Sequence, residues 1–288
     1  MIGTQGLAAG SQNFMAAMAA LMRQALESPE GMRALAAAIA KPIETEIKRK
    51  EISSLLLTRH DLPKGERPVY QKKPKVRAFW ISKDGEAQMQ EVGRDEIEFP
   101  THRIHANPMV DISVLKHGNI GSLMDLQTAT AEQIRREIDK RTIDVISRAV
   151  PAENTVTVAG STLTEAALNE AMSIIEDLEL TVKFILLRGR RFNDLRGWNL
   201  DPETKLELRQ KGIIKNYGTA SILTTSAAPM DEIILIPDQE VGKMPVREKL
   251  MVDSIEQKGR FKTGWLVWQE LGQGITRPDL LAKIRLQG

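Results

Sequence analysis

A chain of 288 residues can hold one large domain or two domains of modest size. Hydrophobic residues make up 42% and charged residues 27%, which is ordinary for a globular protein. The formal net charge of +2 excludes a chain-wide attraction to nucleic acid, and the absence of cysteine excludes disulfide bridges and thiolate sites.

The N-terminal stretch is apolar, and its first 22 residues contain no charged side chain. It lacks the basic segment that begins a secretory signal, and Gln5 and Ser11 interrupt its apolar run. The Ala- and Met-rich residues Phe14–Leu26 therefore predict a helix that packs against another surface. No run in the chain reaches the roughly 18 apolar residues that a membrane span needs, so no membrane partner is expected.

Residues 29–57 follow a helical pattern that Pro42 interrupts. Because proline fits the first turn of a helix but not its interior, the sequence predicts two helical segments. The first ends near Lys41 and the second runs from about Pro42 to Leu57. The charge-rich residues Glu44–Glu51 predict a solvated face, with an inter-subunit contact as the alternative.

A long extended arm is predicted from about Arg59 to Asp111. The strand-like run Lys75–Ile81, the turn Ser82–Gly85 and the return leg Glu86–Val92 together indicate a hairpin. Between Arg59 and Lys83 there are eight Lys or Arg and two Asp or Glu, so this part of the arm is basic. An isolated two-stranded hairpin is marginally stable in water, so the arm is expected to lie on another subunit.

After the arm, Val110–Leu115 predicts a short extended run, and a long amphipathic helix follows from about Leu126 to Ala149. Its apolar face is predicted to contain Ile134, Ile138, Val145, Ile146 and Ala149. Its solvated face is predicted to contain Arg135, Arg136, Asp139, Lys140, Asp144 and Arg148. Pro151 ends the helix.

From Asn154 onward, short strands and helices alternate. The predicted strands are Thr155–Val158, Thr181–Leu187, Ala220–Thr225 and Glu232–Pro237. Thr162 with Glu165 forms a capping-box pattern that opens a helix through Asp177, with a predicted apolar stripe of Ala167, Ala171, Ile174 and Leu178. Two more short helices are predicted near Arg191–Leu195 and Pro202–Gln210.

The C-terminal region is predicted to be long and extended. Leu250–Ile255 and Lys262–Leu271 form two legs that the turn Glu256–Arg260 joins, and a last strand ends near Leu286. In the second leg, Trp265, Val267 and Gln269 face one side, while Leu266, Trp268 and Glu270 face the other.

No set of residues predicts catalysis, a metal site or a cofactor site, so no enzyme activity is expected. His102 and His105 face opposite sides of an extended strand, which favours surface or interface histidines over metal ligands. The basic loop Leu187–Arg191 fits a solvated or inter-subunit loop, with a phosphate- or nucleic-acid-binding loop as the alternative. Trp265 and Trp268 fit core packing better than ligand stacking.

The order of these elements resembles that of the major capsid protein of tailed double-stranded DNA bacteriophages, the Hong Kong 97 type fold. The closest local likeness is the long strand Gly264–Leu271, the segment Gly274–Asp279 and the closing strand through Ile284. The resemblance implies an α+β fold with an N-terminal arm, an extended β-hairpin loop, a peripheral domain with a long spine helix, and an axial α/β domain.

The resemblance also implies domain boundaries. These are an N-terminal arm (1–58), an extended loop (59–111), a peripheral domain with the spine helix (112–152), an axial domain (153–237), the strands of the peripheral domain (238–276) and a return to the axial domain (277–288). Inter-subunit contacts are expected from side chains of the loop, namely Lys72, Lys73, Lys75, Arg77, Trp80 and Lys83.

The function that the resemblance implies is that of a structural protein. Copies of the chain would assemble in the host cytoplasm, as pentamers and hexamers, into the icosahedral capsid of the virion. The implied partners are a separate scaffolding protein, a portal protein, packaged double-stranded DNA bound without sequence specificity and, as an option, a decoration protein. No membrane, metal or cofactor is implied.

Two other functions remain open from the sequence. An encapsulin-type nanocompartment shell resembles the same fold but encloses a cargo enzyme. A nucleic-acid-binding protein could instead use the basic arm as a ribbon in a DNA groove, and its affinity would then depend steeply on salt concentration.

Overall fold

The computed structural model describes residues 17, 20–22, 24, 28–72, 95–116, 120–198, 216–257 and 262–288. Its helices are α1 (Pro29–Lys50), α2 (Ser53–Leu56), α3 (Ile112–Lys116), α4 (Ile120–Ala149), α5 (Glu165–Glu176) and α6 (Phe192–Arg196). Its strands are β1 (Thr58–Asp61), β2 (Val69–Gln71), β3 (Glu96–Glu98), β4 (His102–Ala106), β5 (Met109–Asp111), β6 (Thr155–Ala159), β7 (Val182–Leu187), β8 (Asn216–Tyr217), β9 (Ala220–Thr224), β10 (Glu232–Pro237), β11 (Gly242–Gln257), β12 (Lys262–Leu271), β13 (Gly274–Ile275) and β14 (Ala282–Gln287). None of the helices in these ranges is long and apolar enough to cross a membrane.

The chain forms two compact units, and neither is continuous in sequence. The first unit draws on residues 1–52, 102–139 and 246–271. The second unit draws on residues 53–101, 140–245 and 272–288. The predicted helix Pro202–Gln210 and residues 258–260 of the predicted C-terminal turn lie outside the described residues.

The sheet of the first unit is built around β12. This strand pairs antiparallel with β11, with Val267 opposite Val252, and antiparallel with β4 and β5 on its other side. Trp265 is 1% exposed, whereas Leu266 and Trp268 are partly exposed. The two predicted C-terminal legs are therefore confirmed, as is the alternation of faces in the second leg.

Side chains from α1, α4 and this sheet form the core of the first unit. The members with the largest side chains are Met22, which precedes α1, Met32, Leu35, Ile39, Ile43 and Ile47 from α1, Leu123, Ile134 and Ile138 from α4, and Val246, Trp265, Val267 and Leu271 from the sheet. Ile134 and Ile138 are both 2% exposed, which confirms the predicted apolar face over this part of α4.

The helix α1 is continuous through Pro42, so the prediction of two segments was wrong. The helix begins at Pro29 because Ser28 caps it: Ser28 Oγ accepts a hydrogen bond from Gly31 N at 3.0 Å, and proline fits the first turn. A proline inside a helix costs about 3 kcal/mol. Burial of Ile39, Ile43 and Ile47 contributes about 1.5–3 kcal/mol each, which outweighs that cost.

The predicted extended run Val110–Leu115 was wrong in its second half. The strand β5 ends at Asp111, and helix α3 follows at once. Asp111 Oδ1 accepts a hydrogen bond from Ser113 N at 2.8 Å, and this bond lowers the pKa of the carboxyl. The carboxylate thus accepts a hydrogen bond from an amide of the first helical turn, which outweighs the strand preference of the β-branched residues that follow.

The helix α4 begins at Ile120 rather than Leu126, and its Asp139 was predicted to be solvated. Asp139 is instead 1% exposed. Its Oδ1 accepts a hydrogen bond from Ile52 N at 3.1 Å, and its Oδ2 accepts one from Arg135 at 3.3 Å. These two donors offset the cost of burying the carboxylate, so Asp139 ties Ile52, two residues after the end of α1, to helix α4.

The second unit contains a mixed six-stranded sheet in the order β6-β14-β10-β7-β9-β8. The pairs β6–β14 and β7–β9 are parallel, whereas β10 runs antiparallel to both of its neighbours. The four strands predicted in this region are confirmed, as is the helix near Arg191, which is α6. The core of the second unit lies between the sheet and the helices α5 and α6. It includes Leu168, Ile175, Ile185, Leu195, Leu235 and Ile284.

The helix α5 starts two residues later than the capping-box prediction. Thr164, not Thr162, accepts the capping hydrogen bond, from Ala167 N at 3.3 Å. Leu163 N donates instead to Asp194 Oδ2 at 3.1 Å, and this bond holds the preceding residues outside the helix. The predicted apolar stripe is also displaced, because the helix ends at Glu176 and leaves Leu178 47% exposed.

Gln127 on α4 offers a test of the core of the first unit. Its side chain is 8% exposed, and Nε2 has no acceptor among the described residues. Since a buried unpaired donor destabilises the folded state, Gln127→Met should raise the free energy of unfolding of the subunit by about 1 kcal/mol. Urea unfolding would measure this. The exposed Gln133→Met on the same helix is the matched control and should change it by less than about 0.5 kcal/mol. Equal effects of the two substitutions would contradict the expectation.

Candidate functional site

The two legs of the predicted arm meet in a short antiparallel ladder. Strand β2 pairs with β3, with Tyr70 opposite Ile97. Lys72 N donates to Asp95 O at 2.9 Å, and Phe99 N donates to Pro68 O at the same distance. The described residues on either side of 73–94 are therefore joined to each other, which defines the base of the arm.

An aromatic cluster fastens this base. The ring of Tyr70 is 5.1 Å from the ring of Phe99, and the two side chains are 8% and 5% exposed. His60 Nδ1 lies 2.9 Å from the Tyr70 hydroxyl oxygen, and Lys243 Nζ lies 5.2 Å from the centre of the Tyr70 ring. Aromatic and cation–π contacts of this kind each contribute about 0.5–1.5 kcal/mol, so the cluster holds both legs to β1 and β11.

Glycine is required where the segment after β12 passes under Phe99. A Cβ atom added to Gly274 would lie 2.1 Å from Phe99 Cδ1. A Cβ atom added to Gly272 would lie 2.9 Å from Pro100 O, and Gly272 N donates to Pro245 O at 2.7 Å. The absence of side chains at these two positions lets the return leg of the arm pack directly on the backbone.

Most of the predicted site residues lie beyond this base. Lys72 is the last described residue of the outgoing leg, and its side chain is exposed. The predicted hairpin and the residues Lys73, Lys75, Arg77, Trp80 and Lys83 lie outside the described residues. Inter-subunit contact by all six side chains therefore stays a prediction.

The cluster at the base was not predicted from the sequence. Tyr70, Phe99, His60 and Gly274 are far apart in sequence and belong to no motif. The available signal was local: two aromatic side chains flank a charged segment, and a glycine follows a long strand. Neither observation indicates by itself which residues come together.

The histidines of β4 and the basic loop, which were candidate binding residues in the sequence, form no binding site in the described part of the chain. His102 and His105 are exposed on β4. Arg191 donates to Met230 O at 2.7 Å and to Ser161 O, so this arginine of the basic loop joins three segments of the second unit. Among the described residues, no group of three His, Asp or Glu side chains is placed to hold a metal ion.

The two tryptophans of β12 have different environments. Trp265 lies in the core, as predicted, but the prediction was wrong for Trp268, which lies on the outer face of the sheet. There its indole Nε1 donates to Asp253 Oδ2 at 3.0 Å, and the guanidinium of Arg103 lies 5.1 Å from its ring. Successive side chains of a strand point to opposite faces, so two residues three positions apart lie on different faces of the sheet. Trp265 therefore lies on the covered face and Trp268 on the outer face.

The two tyrosines of the chain give a pH test of this geometry. Burial and then the charge of Glu66 raise the pKa of Tyr70 above 10.0, and burial and then the charge of Glu165 raise the pKa of Tyr217 above 10.0. Folding therefore favours the neutral phenols. The stability that they contribute is complete below pH 10 and is lost as the pH rises through the folded-state pKa values.

We expect the phenolate absorbance of the folded protein to rise only above pH 10, and the free energy of unfolding to fall over the same range. Tyr70→Phe should remove the part of that fall due to Tyr70. A titration midpoint at the ordinary value of 10.0 in the folded protein would contradict the burial of Tyr70 and the partial burial of Tyr217.

Comparison with solved structures identifies the fold. No family model matches the sequence, and no curated protein matches it. The structure is similar to one from Microbacterium phage Oxtober96, with a TM-score of 0.64 and 13% identity over 82% of this chain and 91% of that chain. It is also similar to the mature capsid of bacteriophage PhiM1, with a TM-score of 0.60 and 11% identity over 83% and 88% of the two chains.

A third similar structure is that of the SrpI encapsulin complex from Synechococcus elongatus. The TM-score is 0.57, with 12% identity over 83% of this chain and 88% of that chain. Each of these matches covers most of both chains, and the similarity therefore extends over the whole fold rather than over one motif. The predicted resemblance is thus confirmed for the fold: the chain has the mixed helix-and-sheet fold of phage capsid and encapsulin proteins.

Proposed function

We propose that this chain is the major capsid protein of a tailed double-stranded DNA bacteriophage, and that it has no enzymatic activity. The observation that carries the proposal is the similarity to a mature phage capsid over 83% of this chain and 88% of that chain. In this proposal, copies assemble as pentamers and hexamers in the host cytoplasm and form the icosahedral shell of the virion.

The proposal assigns roles along the chain in the pattern of the Hong Kong 97 type fold. Residues 1–58 form the N-terminal arm and residues 59–111 the extended loop. Residues 112–152 and 238–276 form the peripheral domain with its spine helix. Residues 153–237 and 277–288 form the axial domain around the centres of pentamers and hexamers. Helix α4, which is 30 residues long, supports the assignment of the spine helix.

The extended loop is proposed to contact a neighbouring subunit through Lys72, Lys73, Lys75, Arg77, Trp80 and Lys83. Two observations support this. The described residues on either side of 73–94 are paired in a ladder and fastened by the aromatic cluster. In addition, Lys72 is exposed where the outgoing leg leaves the ladder.

The proposal also includes partners other than copies of the chain. A scaffolding protein would act during assembly, a portal protein would occupy one vertex, and a decoration protein could bind the outer surface. Double-stranded DNA would be enclosed without sequence specificity, which agrees with a net charge of only +2.

The second candidate is an encapsulin-type shell, which the similarity to the SrpI encapsulin favours. Size-exclusion chromatography followed by electron microscopy of the purified protein tests both. Either shell predicts closed particles of megadalton mass. Particles filled with DNA and carrying a tail in the native source support the capsid proposal, whereas particles around a cargo enzyme support the second candidate. A discrete species that binds DNA with steep salt dependence would overturn both shell functions.

A further inference from the structure

The two legs of the arm carry opposite charges. The outgoing leg, residues 72–83, has five Lys or Arg and no Asp or Glu. The returning leg, residues 84–98, has six Asp or Glu and one Arg. Every copy of the chain therefore has a basic segment and an acidic segment on the same arm, and two copies are complementary where one basic segment meets one acidic segment.

The acidic leg ends on an open face of the ladder. Side chains alternate between the two faces of a strand, so Val69, Gln71, Glu96 and Glu98 share the face opposite Tyr70. All four of these side chains are exposed, and Val69 lies opposite Glu98 in the register. We name this set the outer ladder face.

Strand β3 also has a free edge. Because the backbone bonds pair Lys72 with Asp95 and Phe99 with Pro68, the pair between them, Tyr70 and Ile97, is hydrogen-bonded within the ladder. Glu96 and Glu98 then direct their backbone groups away from β2. In the described part of the chain, β2 is the one strand that pairs with β3.

We propose that the outer ladder face and the free edge of β3 receive the basic run Lys73–Arg77 of a second copy. This inference rests on the proposed shell function and names the surface that the arm binds. Lys73, Lys75 and Arg77 occupy alternate positions, so in the extended conformation predicted for the arm their side chains share a face, about 6.6 Å apart.

Glu96 and Glu98 are also two residues apart, so their carboxylates have the same spacing as two successive basic side chains of the run. One contact thus forms two charge pairs, and backbone hydrogen bonds can form along the edge of β3. Every copy of the chain carries both this basic run and this acidic face, so a second copy can supply the run that the face receives, and charge complementarity supports this choice.

Charge reversal tests the contact from both sides. The first variant carries Glu96→Lys with Glu98→Lys, and the second carries Lys73→Glu with Lys75→Glu. Each variant opposes like charges at the contact, and we expect the yield of closed shells to fall at least about tenfold in both. The subunits should remain folded, because Glu96 and Glu98 are exposed.

A matched control separates the contact from the change in net charge. Glu153→Lys with Glu176→Lys makes the same change in charge as the first variant, at exposed positions outside the arm. We expect this control to give closed shells at the yield of the unaltered protein.

Mixing the two variants decides whether the contact joins different copies. In an equal mixture, the basic run of the first variant meets the acidic face of the second, and the acidic run of the second meets the basic face of the first. We expect each variant by itself to remain unassembled. In the mixture, we expect native mass spectrometry to detect oligomers that contain both variants. If a chain that carries all four substitutions assembles into shells but the mixture does not, the contact lies within one chain and the inference is overturned.

The outcomes also separate this inference from the proposed function. If both variants assemble as well as the unaltered protein, the docking surface is overturned while the shell function stands. If the unaltered protein itself forms no shells, the shell function fails, and the docking surface fails with it.

Discussion

Deleting residues Lys72–Asp84 should leave a folded protein that no longer closes into shells. The cores of both units and the aromatic cluster at the base of the arm lie outside the deletion. Residues 85–94 still connect β2 to β3, so the ladder can form. What is lost is the basic part of the arm, and a shell in which each copy holds its neighbour through this arm loses that contact at every position.

Size-exclusion chromatography and negative-stain electron microscopy would measure the result. The expected species is a soluble monomer or a single capsomer, with the circular dichroism spectrum and cooperative unfolding of the unaltered subunit. Replacing residues 72–84 by glycine and serine at the same length is the control for chain length, and we expect it to fail in the same way. Closed shells of normal diameter from either protein would show that the arm is not an assembly element.

The elements predicted best are those whose side chains alternate or recur over many residues. Lys262–Leu271 was predicted with the faces of Trp265–Glu270, because alternation along a strand leaves one register compatible with a buried side. Ile134 and Ile138 of α4 were placed in the core for the same kind of reason. A hydrophobic pattern that extends over many residues indicates which side chains are buried. The spacing of those buried side chains then distinguishes a helix from a strand.

The predictions that failed depended on local rules that tertiary packing overrode. Pro42 was expected to break a helix, but the burial of Ile39, Ile43 and Ile47 kept α1 continuous. Thr162 was expected to cap α5, but Asp194, which is distant in sequence, holds the residues before Thr164 outside the helix. In both cases the deciding partner is remote, and no local window of sequence contains it.

The candidate site was predicted in part. The basic charge of residues 59–83 is a property of the sequence itself, whereas the predicted hairpin lies outside the described residues and stays a prediction. The cluster at the base of the arm does not follow from the sequence, since Tyr70, Phe99 and Gly274 come together only through the pairing of β2 with β3 and the path of the chain after β12. The sequence thus indicates where the arm lies but not what holds it.

Gly274→Ala should destabilise the base of the arm by about 1–3 kcal/mol. The added methyl group would lie 2.1–2.3 Å from three atoms of the Phe99 ring. That ring is 5% exposed and contacts Tyr70, so it cannot move aside without disturbing the ladder. We therefore expect a lower melting temperature of the subunit and a reduced yield of shells, because the arm would no longer be presented from a fixed base.

Gly189→Ala is the matched control, since a Cβ atom at Gly189 meets nothing within 4 Å. It should leave both the melting temperature and the shell yield unchanged. Phe99→Ala identifies the cause: in that background, Gly274→Ala should cost much less than in the unaltered chain, because the ring that it displaces is absent. If the two substitutions were additive, the clash with Phe99 would not be the source of the loss, and the path of the chain under the arm would need another explanation.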